Sequence, residues 1–297
     1  ASPHDTQAMK PASSGSAPPL LRRLLIEGII FIVWVLLEIV DVLLRVLGAI
    51  WTKVSECMAS AEHRPKHVVI VGASFGGLAA QRELSGRRDV NVTLVDFKSY
   101  FEYTPGILRC FVQPDFLKQL TCALPASRNE LIRGTMTGAS EDGVTLQDAL
   151  GAERKLPFDY LVLAIGSTYA DPIKPVESEP TLGERTASWK EAASKLRSAN
   201  TVIVVGAGPV GVELAGEILT VYPDKTVTFV DMAPTILPGF DEAAASYTKE
   251  WFRERGAEMR LGEGIDEIRT NSLLLKSGEV LEADVVYKCV GVMPNTS

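Results

Sequence analysis

The chain has 297 residues, which allows two domains at roughly 100–200 residues each, and its 46% hydrophobic and 23% charged residues fit a folded globular protein rather than a disordered or fibrous one. A net charge of −7 and a pI near 5.2 make it a poor binder of nucleic-acid phosphates, so no nucleic-acid partner is expected. The four cysteines (Cys57, Cys110, Cys122, Cys289) form no C-x-x-C, and the three histidines (His4, His63, His67) all precede the first glycine motif; no zinc site, disulfide framework or histidine-based triad is expected, and no metal ligand is assigned.

Residues 1–19 are rich in Ala, Ser, Pro and Gly and end in Ala17-Pro18-Pro19. Such a stretch cannot bury enough surface to fold, and a flexible tail is expected. The sequence does not open with Met; removal of a targeting peptide and a trimmed sequence are equal explanations. From Leu20 to about Val54 the pattern is helical, and between Leu24 and Trp51 the only charges are Glu27, Glu38, Asp41 and Arg45. At 100° per residue these four and Arg23 fall within an arc of about 60°, a narrow polar stripe on an apolar helix. Asp41 and Arg45 stand four residues apart, the spacing that pairs opposite charges. Some 35 residues span about 50 Å, against about 30 Å for a hydrocarbon core. A lone spanning helix would place Glu38 and Asp41 in lipid, at roughly 2.5–3.5 kcal/mol for a central Asp. Two placements avoid this: the stripe faces a protein partner inside the membrane, or the helix lies in the interface with the stripe towards water. A buried core helix is the third alternative. The expectation is a membrane-associated helix over 20–54, in contact with membrane lipid and with a protein partner on its charged stripe.

His67-Val-Val-Ile-Val71 is a short β-branched run that leads into Gly72-Ala-Ser-Phe-Gly-Gly77 and then a helical Leu78–Leu84. Strand, glycine turn and helix is the context in which a G-x-G-x-x-G pattern points to a dinucleotide, because the helix N-terminus offers free N–H groups to a pyrophosphate. Ser74 replaces the middle glycine and still allows a near approach of the backbone. A second strand, Asn91–Val95, ends at Asp96, 24 residues after Gly72, where a carboxylate receives ribose hydroxyls.

Thr201–Val205 leads into a complete motif, Gly206-Ala-Gly208-Pro-Val-Gly211, and a helix through Ile218. Val227–Val230 ends at Asp231, 25 residues after Gly206. A carboxylate there accepts from an unphosphorylated ribose and repels a 2′-phosphate, and Met232 and Ala233 offer no cation to receive one; NADH is favoured over NADPH. Two such units, 134 residues apart, point to two dinucleotides, usually FAD with NAD(P)H. Between them, Tyr160–Ala164 reads as a strand returning to the first sheet and ending in the Gly166 turn, and Asp284–Gly291 matches it near the end of the sequence.

On Val69–Leu78, Tyr100–Arg109, Leu163–Ser167, Val204–Glu217 and Val290–Asn295, the chain resembles the flavoproteins with two dinucleotide-binding domains over about 66–297. It is similar, more closely, to type II NADH dehydrogenases and the ferroptosis-suppressor, apoptosis-inducing-factor-like branch. The resemblance implies an α/β fold of two Rossmann-like domains after the N-terminal helix: an FAD-binding domain over 66–172, with 283–297 returning to it, and an NADH-binding domain over 173–282. It implies that Gly72, Ser74, Gly76, Gly77 and Asp96 hold the adenosine and pyrophosphate of FAD, that Tyr103, Thr104 and Pro105 run near the flavin ring, and that the Gly166 turn borders the same cofactor. Gly206, Gly208, Gly211 and Asp231 would hold NADH. Glu213 matches a glutamate near the nicotinamide and is the catalytic candidate, with an ordinary glutamate near a helix dipole as the alternative. Phe75 and Pro209 occupy variable motif positions and receive no role.

The implied activity is hydride transfer from NADH to the flavin followed by two-electron reduction of a quinone, at an organelle membrane, mitochondrial inner or plastid thylakoid, with the N-terminal helix as anchor. Two departures are expected to matter. The family continues beyond the Pro294-Asn295 segment with a further flavin-contacting motif, the last strand of the first domain and its membrane elements, and it anchors at its C-terminus rather than its N-terminus. Both suit the alternative function, a catalytically silent accessory subunit of a larger respiratory or photosynthetic membrane complex. A soluble disulfide reductase lacks its cysteine pair here.

Overall fold

The computed structural model describes residues 19–58, 64–124, 130–170 and 172–295. The tail expected over 1–19 lies almost wholly outside them. The chain divides into two units, Ala1–His63 and Arg64–Ser297.

The described residues of the first unit form one helix, α1 (Pro19–Met58). At 1.5 Å per residue its 40 residues run about 60 Å. Apolar side chains point outward on most of its circumference: Ile29, Phe31, Trp34, Leu37, Leu44 and Trp51 are all more than half exposed. Asp41 and Arg45 pair at 2.6 Å across one turn, as their spacing predicts. Among the described residues no helix is long and apolar enough to cross a membrane. The placement of this helix as a transmembrane span therefore finds no support; Glu38, Asp41 and Arg45 interrupt its apolar run.

The second unit begins with β1 (Lys66–Val71), α2 (Phe75–Leu84), β2 (Val90–Asp96) and β3 (Tyr100–Glu102). A 3₁₀ helix (Thr104–Phe111), a shorter one (Pro114–Phe116), α3 (Leu117–Leu120) and β4 (Thr121–Ala123) follow. Then come β5 (Glu130–Arg133), β6 (Thr135–Ser140), β7 (Gly143–Gln147), β8 (Glu153–Leu156), β9 (Tyr160–Leu163) and β10 (Ser167–Thr168). The second half has α4 (Leu182–Ser198), β11 (Thr201–Val205), α5 (Pro209–Val221), β12 (Thr226–Asp231), α6 (Glu242–Arg253), β13 (Glu258–Leu261), β14 (Ile265–Ile268), β15 (Ser272–Leu275), β16 (Val280–Glu282), β17 (Val285–Lys288) and β18 (Met293–Pro294).

Each half is built in the same way. In the first, four parallel strands run in the order β5-β2-β1-β9. The period of two sends Val68, Ile70, Val92 and Leu94 to the face covered by α2, and Val69, Val71 and Val95 to the face covered by the antiparallel β6-β7-β8 sheet, where Val144 and Leu146 receive them. In the second, the order is β13-β12-β11-β17, again all parallel. Ile203, Val205 and Val230 face Leu273 and Leu275 of the β14-β15-β16 sheet, while Val202, Val204 and Phe229 face the helices through Leu214, Ile218 and Phe252. Both central strands are buried on two faces, so they read as unbroken apolar runs.

Residues 283–297, expected to return to the first domain, divide. Val285–Lys288 pairs with β11 in the second sheet, while Met293 and Pro294 pair with β10 in the first half and Asn295 bonds the Ile165-Gly166 turn beside it. The run Val285-Val-Tyr-Lys288 closes the second sheet because β11 needs a partner on its free side. The stretch from Thr104 to Leu120 leaves its own sheet and packs on α4 and α5: Ile107, Leu108, Phe111 and Leu117 join one core with Trp189, Leu196 and Leu214.

Candidate functional site

The two glycine loops are close geometric copies. The amide of Gly72 bonds the carbonyl of Val95 at 2.8 Å, and that of Gly206 bonds Val230 at 2.8 Å. Gly72 and Gly206 have φ of 105° and 109°, which L side chains rarely adopt. A Cβ on Gly72 would lie 2.2 Å from the carbonyl oxygen of Ala164, and one on Gly206 would lie 2.8 Å from that of Cys289. Gly77 and Gly211 let α2 and α5 cross their loops: a Cβ would stand 1.7 Å from Gly72 O and 1.9 Å from Gly206 O respectively. Gly208 differs. It is extended, at φ −77° and ψ −174°, and a Cβ there would meet nothing within 4 Å. That open space beside the N-terminus of α5 is a cradle that a side chain would fill, and it fits a pyrophosphate. Ser74 takes the same place before α2, also extended. Gly76 makes only ordinary contact, with a Cβ 3.8 Å from that of Ala164.

Each loop is latched to a carboxylate at the end of the second strand. Asp96 Oδ2 accepts the Ala73 amide at 2.6 Å, and Asp231 Oδ2 accepts the Ala207 amide at 2.6 Å. The other oxygen accepts the amide two residues on: Lys98 at 3.0 Å, Ala233 at 2.7 Å. The sites then part company. Lys98 returns its ammonium to Asp96 Oδ2 at 2.8 Å, and both side chains are buried. Asp231 is half-buried, Ala233 can supply no cation, and Met232 is exposed. The first carboxylate is thus paired with a cation, while the second, among the described residues, is held by backbone amides alone.

Around the first loop, Tyr103 is half exposed and stands edge-on to Phe75, ring centroids 5.7 Å apart, with Phe101 behind at 5.2 Å. Thr104 and Pro105 open the 3₁₀ helix. The Gly166 turn, at φ 67°, is held by Asn295, whose amide bonds Gly166 O at 3.0 Å and whose side chain bonds Ile165 O at 2.8 Å. Glu213 is exposed on α5, yet the surrounding protein still desolvates its carboxyl; this, with Glu217 one turn on, raises its pKa. Cys110 and Cys289 are buried, which pushes both thiols up to about 12, so neither is a ready nucleophile.

Sequence reasoning overlooked three residues here. Lys98 reads as a surface lysine in a turn, and Phe75 as a variable motif position. Leu237 adopts φ 50° and donates its amide to Ala207 O at 2.8 Å, bracing the second loop; a leucine carries no sign of that conformation.

Two loop-and-carboxylate cradles on twin parallel sheets define a two-nucleotide α/β protein. The chain belongs to the pyridine nucleotide-disulphide oxidoreductase family, whose model matches residues 66–297. FAD and NADH are the cofactors expected of it, and the open space at Gly208, before α5, has room for a pyrophosphate. Among its relatives, the human ferroptosis suppressor protein 1 is 30% identical, over 80% of this chain and 66% of that protein. The apoptosis-inducing factor homolog B of Dictyostelium discoideum is 26% identical, over 78% of this chain and 65% of that one. The chain therefore spans about two thirds of the length of the curated relatives it matches. Among solved structures, NDH2 of Plasmodium falciparum in complex with NADH superposes with a TM-score of 0.65 at 17% identity, covering 77% of this chain and 56% of that one. The NADH-bound water-forming NADH oxidase of Lactobacillus brevis gives 0.61 at 20%, covering 78% and 55%. At these identities the likeness is one of fold.

Proposed function

We propose that the chain is an FAD-dependent NADH:quinone oxidoreductase, associated through α1 with an organelle membrane, the mitochondrial inner membrane or the plastid thylakoid. The observation that carries this reading is the pair of matched cradles with unlike carboxylates. The carboxylate of Asp231, paired with no cation among the described residues, suits the hydroxyls of an unphosphorylated ribose and repels a 2′-phosphate. When bound, FAD supplies the two-electron relay between a nicotinamide and an acceptor. The chain's own residues bind and orient. The amides at the starts of α2 and α5 favour pyrophosphate, Asp96 and Asp231 fix the loops, and Tyr103 with Phe75 offers an aromatic wall beside the first loop. Glu213, with its raised pKa, holds a proton more readily than an ordinary glutamate. A quinone acceptor is supported by the apolar surface of α1 and by a fold neighbour named as a sulfide:quinone oxidoreductase, from Aquifex aeolicus.

The test is an anaerobic titration of the natively purified protein with NADH, followed by addition of a short-chain quinone. Flavin absorption that bleaches with NADH and returns with quinone is expected; a protein without flavin, or one that NADH does not bleach, overturns the reading. The exposed apolar face of α1, with its Asp41–Arg45 pair, favours a second reading: a catalytically silent subunit docked through that stripe into a membrane complex. It predicts co-purification with a large assembly and no NADH oxidation.

A further inference from the structure

Five charged side chains are buried among the described residues: Asp96, Lys98, Glu102, Glu179 and Arg185, none more than 7% exposed. They form two hydrogen-bonded groups, Asp96 with Lys98 and Arg185 with Glu102 and Glu179, linked into one array by the field of Lys98 at Glu102. Arg185 grips Glu102 with two parallel bonds, Nε to Oε2 at 2.7 Å and Nη2 to Oε1 at 2.9 Å. Its remaining arm, Nη1, donates to Glu179 Oε2 at 2.9 Å, which also accepts the Val176 amide at 3.1 Å. The Tyr100 hydroxyl closes the far side on the carbonyl of Glu179 at 3.2 Å, and the guanidinium lies 5.0 Å from the Trp189 ring. Lys98, paired with Asp96, favours the charged form of Glu102 from the other end, against a desolvation that raises its pKa.

Three carboxylates and two cations leave this buried array one negative charge in excess. Burial of that kind is a poor source of stability, because apolar side chains of the same volume hold a core as well or better. What a forked guanidinium provides is direction, since its planar donors fix the position and plane of the carboxylate they meet. The connected elements give that direction a purpose. Glu102 ends β3 and is followed by Tyr103, at the first cradle; Arg185 is on α4, which packs on the sheet that carries the second.

We propose that Arg185 is a positioning residue: from the helix of the second nucleotide unit it holds Glu102, and through it the Tyr103–Pro105 segment, at a set place beside the first glycine loop, so fixing how the two nucleotide sites face each other. This rests on the reading that the flavin borders Tyr103–Pro105.

The test compares the full, FAD-loaded chain with its Glu102→Gln and Arg185→Lys variants. Glu102→Gln leaves Arg185 paired with Glu179 and brings the array to neutrality, which spares the fold an unpaired buried charge. It is expected to keep the KM for NADH within about twofold while flavin reduction by NADH slows about tenfold, the signature of misplacement rather than lost binding. Arg185→Lys keeps the charge without the fork and is expected to show the same split. On the same proteins, amide hydrogen exchange over 100–105 is expected to quicken about tenfold while 201–205 keeps its protection. Equal quickening in both stretches, or unchanged flavin reduction in both variants, overturns the proposal. If the chain takes up no flavin, it is the proposed function that fails, and the exchange comparison alone decides the role of Arg185.

Discussion

Gly208→Ala separates the fold from the nucleotide. The backbone there is extended and the position of a Cβ is free of neighbours within 4 Å. The methyl therefore fits the protein. Its entropic effect on the unfolded chain stabilises by about 0.4–1 kcal/mol. Alanine in place of glycine at the start of a helix costs a similar amount, about 0.5–1 kcal/mol. The two offset, and Tm is expected to stay within about 4 °C of wild type. The nucleotide is another matter, because the methyl enters the space through which a pyrophosphate approaches the amides of α5. Overpacking of about 1–3 kcal/mol, at 1.4 kcal/mol per tenfold, weakens NADH binding about 5- to 150-fold. Calorimetric titration with NADH and thermal unfolding of the same sample read both quantities. Gly211→Ala is the control: a Cβ 1.9 Å from Gly206 O displaces α5 and is expected to lose stability and binding together. NADH bound by Gly208→Ala as tightly as by wild type would refute the placement of the pyrophosphate over this glycine.

Replacing Asp231 by Ala together with Met232 by Arg removes the charge that repels a 2′-phosphate and adds one that attracts it; the ratio of kcat/KM for NADPH to that for NADH is expected to rise at least about tenfold. Two further predictions concern stability against pH and have opposite signs. Asp284 Oδ2 accepts the amides of Asn200 at 2.7 Å and Thr201 at 2.9 Å, which lowers its pKa. Its stabilisation is complete above the ordinary carboxylate pKa of about 4 and is lost as the pH falls through the lower folded value, so the deficit of Asp284→Asn in urea is expected to be largest near neutrality and to shrink in acid. Glu213 has a raised pKa, so its ionisation works against the fold above the unfolded value; Glu213→Gln is expected to stabilise the protein at neutral pH and to change nothing below about pH 4.

The parts of this fold that the sequence announces are those fixed by neighbours in the chain. Val69–Val71 and Val202–Val205 read as buried strands because both faces are covered, and each runs directly into a turn that only glycine can make at Gly72 and Gly206. The loop carboxylates Asp96 and Asp231 are legible for the same reason, at a fixed step from their glycines. What the sequence hides depends on partners far along the chain. Arg185 sits on a polar helix and reads as solvated, yet its partner Glu102 lies 83 residues earlier. Ile107, Leu108 and Phe111 have the spacing of one helical face, but nothing near them in the chain tells that the core they enter belongs to the other sheet. Val285–Lys288 has the composition of any buried strand; which sheet it joins is decided by the open side of β11.

That crossing of Thr104–Leu120 into the second half bears on how the molecule can be taken apart. Phe111 stands edge-on to both Trp189 and Tyr287, at 5.0 and 4.8 Å, so the wall of the second core is supplied by the first half. A gene fragment carrying only the second glycine loop would encode a sheet with a hole in its side and an oily surface turned to water. The two cradles, alike enough to pass for repeats, are not interchangeable cassettes: with a shared core they are expected to melt together, and a graft of the second onto another scaffold must bring the visiting segment with it.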